Sequence, residues 1–210
     1  MSFDGRPLGA LPRRALAQRL AVIPQDTQLA FDYTVLEIVL MGRYPHLGAL
    51  EIEGPADLAI ARQAMAATGT EAFERRRFTT LSGGERQRVV IASALAQLEG
   101  SAGLQACGLL LDEPTAALDL GYQLDIAALL RHLNTDRGLT MAISTHDLSF
   151  ASAVCHDVVL LRAGRVIASG PAAEVITAPH IRALYDVDAD VRRDEETGRV
   201  VVVPRRHVRP

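Results

Sequence analysis

The chain has 210 residues, 49% of them apolar and 22% charged. A chain of that length and balance buries roughly 70% of its unfolded surface and is not disordered. The 22 basic and 25 acidic residues leave a net charge of −3, without the basic excess that draws a protein to nucleic acid. Every basic residue is arginine, and lysine is absent. Cys107 and Cys155 lie 48 positions apart with no second ligand pair, so neither a disulfide framework nor a zinc motif is expected. Both read as small apolar residues in a reducing compartment. No segment reaches the roughly 20 apolar residues of a membrane helix, and the start lacks the apolar stretch of a secretion signal.

In chain order, the first 24 residues read as basic and loop-like, ending on Ala21-Val22-Ile23 before Pro24-Gln25. Residues 33–44 predict a helix with Thr34 as its cap. The alanine-rich stretch Glu51 to Ala67 predicts another, and Arg75-Arg76-Arg77 reads as a solvated face. Leu81-Ser82-Gly83-Gly84-Glu85 opens a helix running through Leu98, followed by a glycine-bearing loop up to Gly108. Gly108–Asp112 is apolar in the manner of a strand covered on both faces. Ile126, Leu129, Leu130 and Leu133 share one helical face, and Leu139 to Ser144 predicts a second strand. A short helix over 147–154, a hairpin of 158–161 and 165–169 turning at Ala163-Gly164, and a helix over 171–186 come next. A turn at 195–198 precedes a strand at Val200–Val203. Alternating strands and helices predict a parallel sheet with helices on its faces.

Four segments carry chemistry. Ser82, Gly83 and Gly84 open a helix, where free amides and the dipole favour an anion and glycine admits a phosphate to the backbone. The same residues also suit an ordinary capped helix. Asp112 and Glu113 end a buried strand, the ligand edge of an open α/β sheet. There one carboxylate can hold Mg²⁺ through its water shell and the next can orient or deprotonate a water. They equally suit a strand end returning to solvent. His146, in Ser144-Thr145-His146-Asp147, follows the next strand, and Gln25 follows the first apolar run. Singly, each of these two reads as packing or surface.

Together, their order and spacing resemble the ATP-binding subunits of ABC transporters. The resemblance implies a P-loop NTPase-like α/β fold, a parallel sheet core with an inserted α-helical subdomain. In it, Leu81 to Glu85 is the signature motif, contributing Ser82, Gly83, Gly84 and Glu85 to nucleotide binding. Leu109 to Glu113 is the Walker B strand, with Asp112 on Mg²⁺ and Glu113 catalytic. Ala117-Leu118-Asp119 is the D-loop, His146 the switch histidine, and Gln25 the Q-loop glutamine that touches nucleotide and Mg²⁺. The implied boundaries are 1–30 for a remnant of the nucleotide-binding core and 31–100 for the helical subdomain with the signature motif. Residues 101–170 are the α/β core with Walker B, D-loop and switch histidine, and 171–210 the C-terminal helix and tail.

Met41-Gly42-Arg43-Tyr44-Pro45-His46 is similar to a segment of importers for haem, iron–siderophore complexes and cobalamin. The haem (hemin) branch is suggested by Asp26-Thr27-Gln28-Leu29-Ala30-Phe31, by the tail Glu196 to Pro204, and by the 27 positions between Glu85 and Asp112. The implied protein is an ATPase powering haem uptake with ATP and Mg²⁺. It forms a homodimer on membrane permease subunits, indirectly serves a periplasmic substrate-binding protein, binds no nucleic acid, and lies peripherally on the cytoplasmic side of the inner membrane. Siderophore or cobalamin import, and a catalytically silent module, remain open; an ABC-type DNA-repair or translation ATPase is disfavoured by the charge balance.

One departure stands out. The family cradles phosphates in a glycine-rich loop ending Gly-Lys-Ser/Thr, whose lysine reaches the β- and γ-oxygens. This chain has neither loop nor lysine, and only 24 residues precede Gln25. The expectation is a chain that starts late, with Asp4-Gly5-Arg6-Pro7-Leu8 standing in the segment after the phosphate loop. The sheet would then be incomplete, lacking the phosphate-loop strand. Such a protein would be marginally stable, aggregation-prone and inactive alone.

Overall fold

The apolar run at 108–112 is the middle of a small parallel sheet in the computed structural model, which describes residues 2–25, 31–100, 103–116, 118–195 and 197–208. Residues 26–30 and 196 of the haem-like segments, Ala117 of the D-loop reading and Arg209 of the tail lie outside the described residues. The chain divides into two compact units, Met1–Ser144 and Thr145–Pro210.

The first unit runs β1 (Ser2–Phe3), β2 (Arg6–Pro7), α1 (Arg13–Ala17), β3 (Leu20–Ile23), α2 (Val35–Met41), α3 (Pro55–Thr68), α4 (Gly83–Leu98), β4 (Gly108–Asp112), α5 (Leu120–Thr135) and β5 (Thr140–Ser144). The sheet order is β3-β4-β5, all parallel, with Ile23 opposite Leu111 and Asp112 opposite Ser144. Side chains alternate between faces. Ala21, Ile23, Leu109 and Leu111 are buried on one face. The other carries Leu20, Val22, Leu110 and Ala142, and there Val22 is 62% exposed and Leu110 only half-buried. The expectation of a strand covered on both faces therefore holds for one face only, since an apolar run does not report how many faces are covered.

Local chemistry sets the helix starts. Thr34 caps α2, its hydroxyl accepting from the Glu37 amide at 3.3 Å while Glu37 accepts from the Thr34 amide at 2.6 Å, a reciprocal capping box. Helix α3 begins at Pro55, later than the alanine pattern predicts. The Asp57 carboxylate accepts from the Gly54 amide and proline favours the first turn. It ends at Gly69, whose φ of 64° is the left-handed turn that glycine supplies.

In the Met41–His46 segment Gly42 and Arg43 are buried while Tyr44 is exposed, so only part of it lies at the surface. Arg43 is 5% exposed. Its guanidinium pairs with Asp57 at 3.0 Å and donates to the carbonyls of Ala96 and Glu99, the open end of α4. Gly42 is obligatory because any Cβ there would overlap the Ser93 carbonyl oxygen. His46 reaches the Gln97 carbonyl at 2.8 Å, and Arg14 and Gln18 donate to the Pro45 carbonyl. Those last contacts explain why residues 13–17 form a helix where a loop was expected.

The second unit comprises α6 (Leu148–Val154), the antiparallel hairpin β6 (Asp157–Arg162) and β7 (Arg165–Pro171), α7 (Ala172–Val175), α8 (Ala178–Tyr185), and a hairpin of β8 (Val187–Arg193) with β9 (Val200–His207). Its core gathers Ala151, Val158, Leu160, Val175, Ile176 and Ile181. The helix expected over 171–186 is split, because Thr177 leaves helical geometry to cap α8 and Pro179 occupies its first turn. Cys107 is buried, whereas Cys155 is only half-buried.

Candidate active site

Parallel strands deliver their following residues to one edge. Gln25 lies two residues beyond β3 and is exposed. Asp112 ends β4, and Glu113 follows it. Because Ile23 and Leu111 share a rung, Gln25 and Glu113 leave adjacent strands at the same level. Ser144 ends β5 opposite Asp112, and its hydroxyl donates to Asp112 Oδ1. Its carbonyl accepts from the Glu113 amide at 2.9 Å. Glu113 has φ of 47°, a left-handed conformation uncommon outside glycine and concentrated at functional sites.

Asp112 is exposed at this edge, and its neighbour on the next strand is a hydroxyl. Hard oxygen donors of this kind suit Mg²⁺, which keeps several waters and commonly takes one or two carboxylates. Among the described residues no cluster of three or more His, Cys, Asp or Glu could cage a metal. Asp112 is a single exposed carboxylate, the kind of donor that an ion keeping most of its waters can use.

The glycine-bearing turn is the start of α4. Ser82 Oγ accepts from the Glu85 amide at 3.3 Å, and Glu85 accepts from the Ser82 amide at 2.8 Å. The Ser82 amide bond holds the Glu85 carboxyl below the usual carboxylate range; burial works against this, and the Arg76 guanidinium at 3.5 Å supports it. The start of α5 packs on this turn. Any Cβ at Gly84 would overlap the Tyr122 ring, and one at Gly83 would lie 3.2 Å from Leu118. Tyr122 Oη accepts from Ser82 Oγ at 3.2 Å. Asp119 caps α5 by accepting from the Tyr122 amide at 3.0 Å. Gly84 is thus small for packing within the chain, while Gly83 faces solvent.

The arginine run before this turn is exposed, as a solvated face requires, and two of its side chains also make local contacts. Arg76 lies over the Phe73 ring and donates to the Thr80 carbonyl, and Arg77 donates to the Asp32 carbonyl at 2.6 Å.

The first unit thus assembles Gln25, Asp112 and Glu113 on one sheet edge, and joins Ser82 to Glu85 with Asp119 through Tyr122. His146 belongs to the second unit, two residues beyond β5. Ser144 and Tyr122 were not singled out from sequence. An aromatic three positions after a helix cap was an available signal for Tyr122, whereas Ser144 is picked out only by the β4–β5 register. A cleft of about 450 Å³, lined by Ala64, Leu95, Glu99, Leu104, His132 and Arg137, lies at the opposite, amino end of β4 and β5. The Glu99–Arg137 pair at 3.6 Å stands at its wall.

An open parallel sheet flanked by helices, with paired carboxylates on its carboxyl edge, is the ligand-binding arrangement of an α/β domain. The family model described as "ABC transporter" matches residues 1–116. The chain is 41% identical over 202 residues to the hemin import ATP-binding protein HmuV of Streptomyces coelicolor, covering 96% of this chain and 69% of that one. It is 40% identical to the cobalamin import ATP-binding protein BtuD of Halobacterium salinarum, with coverages of 95% and 48%. It is 36% identical to the iron(3+)-hydroxamate import ATP-binding protein FhuC of Bacillus subtilis, with coverages of 95% and 71%. The chain spans about half the length of the cobalamin relative. Among solved structures, a metal-chelate type ABC transporter in an inward-facing conformation superposes with a TM-score of 0.80 at 30% identity, covering 90% of this chain and 73% of that one. The ATP-binding cassette MJ0796, a dimer bound to ADP and Pi, superposes with 0.64 at 27% identity, covering 81% and 72%. The chain belongs to the ABC transporter family.

Proposed function

We propose that this chain is the nucleotide-binding part of an ATPase subunit that powers an importer for haem. The observation that carries the reading is the shared carboxyl edge of β3, β4 and β5, where Gln25, Asp112 and Glu113 come together while the Ser82 turn is held by the start of α5. In this reading Asp112 holds Mg²⁺ through its water shell. The ion, when bound, neutralises charge on the phosphates. Glu113 orients and polarises the attacking water, a task for a carboxylate within hydrogen-bond reach of it. Gln25 senses the same water and connects the edge to the helical region 31–100. His146 steadies the charge developing on the transferred phosphoryl group. Ser82, Gly83, Gly84 and Glu85 form the opposing lip, contributed by a second copy, and Asp119 reports between copies.

These 210 residues contain no lysine and no glycine-rich phosphate loop, and a catalytically silent module stands as the alternative reading. The subunit would dock on permease subunits at the cytoplasmic face of the inner membrane, with a substrate-binding protein acting from the far side. No helix among the described residues is long and apolar enough to cross a membrane. Siderophore and cobalamin import stand beside haem, since relatives named for all three match at 36% to 41% identity. Reconstitution with the permease separates them. Haem-loaded binding protein should stimulate ATP hydrolysis more than ferric hydroxamate or cobalamin does; equal or greater stimulation by either of the others would overturn the haem assignment.

A further inference from the structure

We propose that Ser144 is a positioning residue for the Asp112–Glu113 pair, holding the first carboxylate by its hydroxyl and the second residue by its carbonyl. The inference rests on the reading of this edge as an ATPase site and adds a residue to it.

The geometry comes from register. Asp112 and Ser144 form the last rung between β4 and β5, so their side chains lie on the same sheet face. The Ser144 hydroxyl donates to Asp112 Oδ1. That commits one carboxylate oxygen, and the other takes no hydrogen bond among the described residues. A carboxylate anchored through one oxygen keeps its plane, leaving the second oxygen for a water or a cation. Without the hydroxyl, an exposed aspartate turns freely about its side-chain torsions. Partners that orient a ligating carboxylate in this way strongly affect metal affinity.

The same residue also acts through its backbone. In a regular strand, Asp112 and Glu113 would project to opposite faces and could not serve one ligand. Glu113 instead leaves the strand with φ of 47°, its amide bonded to the Ser144 carbonyl at 2.9 Å. That bond ties the left-handed turn to β5. Ser144 therefore sets the Asp112 plane by its side chain, while its carbonyl makes the last ladder bond of the β4–β5 pair, to the Glu113 amide. Substitution of the side chain cuts only the first.

The test compares Ser144→Ala with Ser144→Thr, which restores the hydroxyl. In the metal-free protein, the Asp112 carboxyl carbon resonance should shift between H2O and D2O through the Ser144 hydroxyl. Ser144→Ala should abolish that shift and Ser144→Thr should keep it, while hydrogen exchange of the Glu113 amide stays the same in all three. In the protein assembled with its permease, Ser144→Ala should raise the Mg²⁺ concentration for half-maximal ATP hydrolysis about tenfold. The rate at saturating Mg²⁺ should change far less, and Ser144→Thr should restore the unmutated Mg²⁺ dependence. An isotope shift indifferent to Ser144→Ala overturns the proposal, as does a shift that is lost without any change in Mg²⁺ requirement. If the unmutated protein hydrolyses no ATP, the ATPase reading fails, and the isotope shift still decides whether Ser144 holds Asp112.

Discussion

Arg43 and Asp112 are both charged groups at the end of a regular element, and the chain treats them in opposite ways. Arg43 is 5% exposed, with its guanidinium distributed over Asp57 and two carbonyls of α4. Asp112 is exposed, anchored through one oxygen to a neighbouring hydroxyl. A buried charge survives only when it is paired and hydrogen-bonded, and the Arg43 Nε and Nη1 donors meet Asp57 and the two carbonyls, so this centre is structural. A site for chemistry must hold its groups in place and still leave valence open, and the carboxyl edge of β4 does that. The contrast also recasts the Met41–His46 segment. Its resemblance to importer sequences has a structural cause, because it closes the end of α4 and joins α2 to α3.

The comparison breaks first at Arg43. Arg43→Ala leaves Asp57 half-buried without its cation and two carbonyls without a donor, and should destabilise the first unit by about 3–5 kcal/mol, read as a lowered urea midpoint. A loss below about 1 kcal/mol would mean that the arginine is not the closing group. Glu113→Gln should do the reverse. Stability should hardly change, while ATP hydrolysis falls by roughly 10²-fold or more and ATP binding persists. Gly84→Ala pushes a methyl group into the Tyr122 ring and should cost about 1–3 kcal/mol; the double variant with Tyr122→Ala should recover much of that loss if the ring is the cause. Ser82→Ala removes a helix cap worth about 1 kcal/mol and should weaken ATP-dependent pairing of subunits more than ATP binding to one of them.

The smallest effect is that of pH. Glu37, Asp57 and Glu85 are each held below the usual carboxylate range, first of all by backbone amides of Thr34, Gly54 and Ser82. A depressed folded pKa contributes stability that is complete above the unfolded carboxylate pKa and is lost as pH falls through the folded one. Acid should therefore weaken the region 31–100, and Glu85→Gln should flatten the fall in urea midpoint between pH 5 and pH 3. A fall as steep as that of the unmutated protein would remove Glu85 from this set.

Much of the frame was legible in the residues. The run Gly108–Asp112, the serine and glycines opening α4, and the Ala163-Gly164 turn each state their geometry locally. The remainder depends on partners distant in sequence. Helix α1 is a short arginine-rich stretch whose place is set by the Pro45 carbonyl. Strand β8 alternates Val187, Ala189 and Val191 with Asp188, Asp190 and Arg192, a period of two that was readable but short and heavily charged. Val22 gave no sign that its face would be open. Ser144 acquired meaning only once β4 and β5 were in register, since no local pattern joins residues 32 positions apart.

The most direct measurement is single-turnover ATP hydrolysis by the subunit with a phosphate loop supplied ahead of these residues and assembled with its permease, with and without Glu113→Gln. The account predicts phosphate release in the unmutated protein and a variant that retains bound, uncleaved ATP. Equal rates of phosphate release in the two proteins would contradict it.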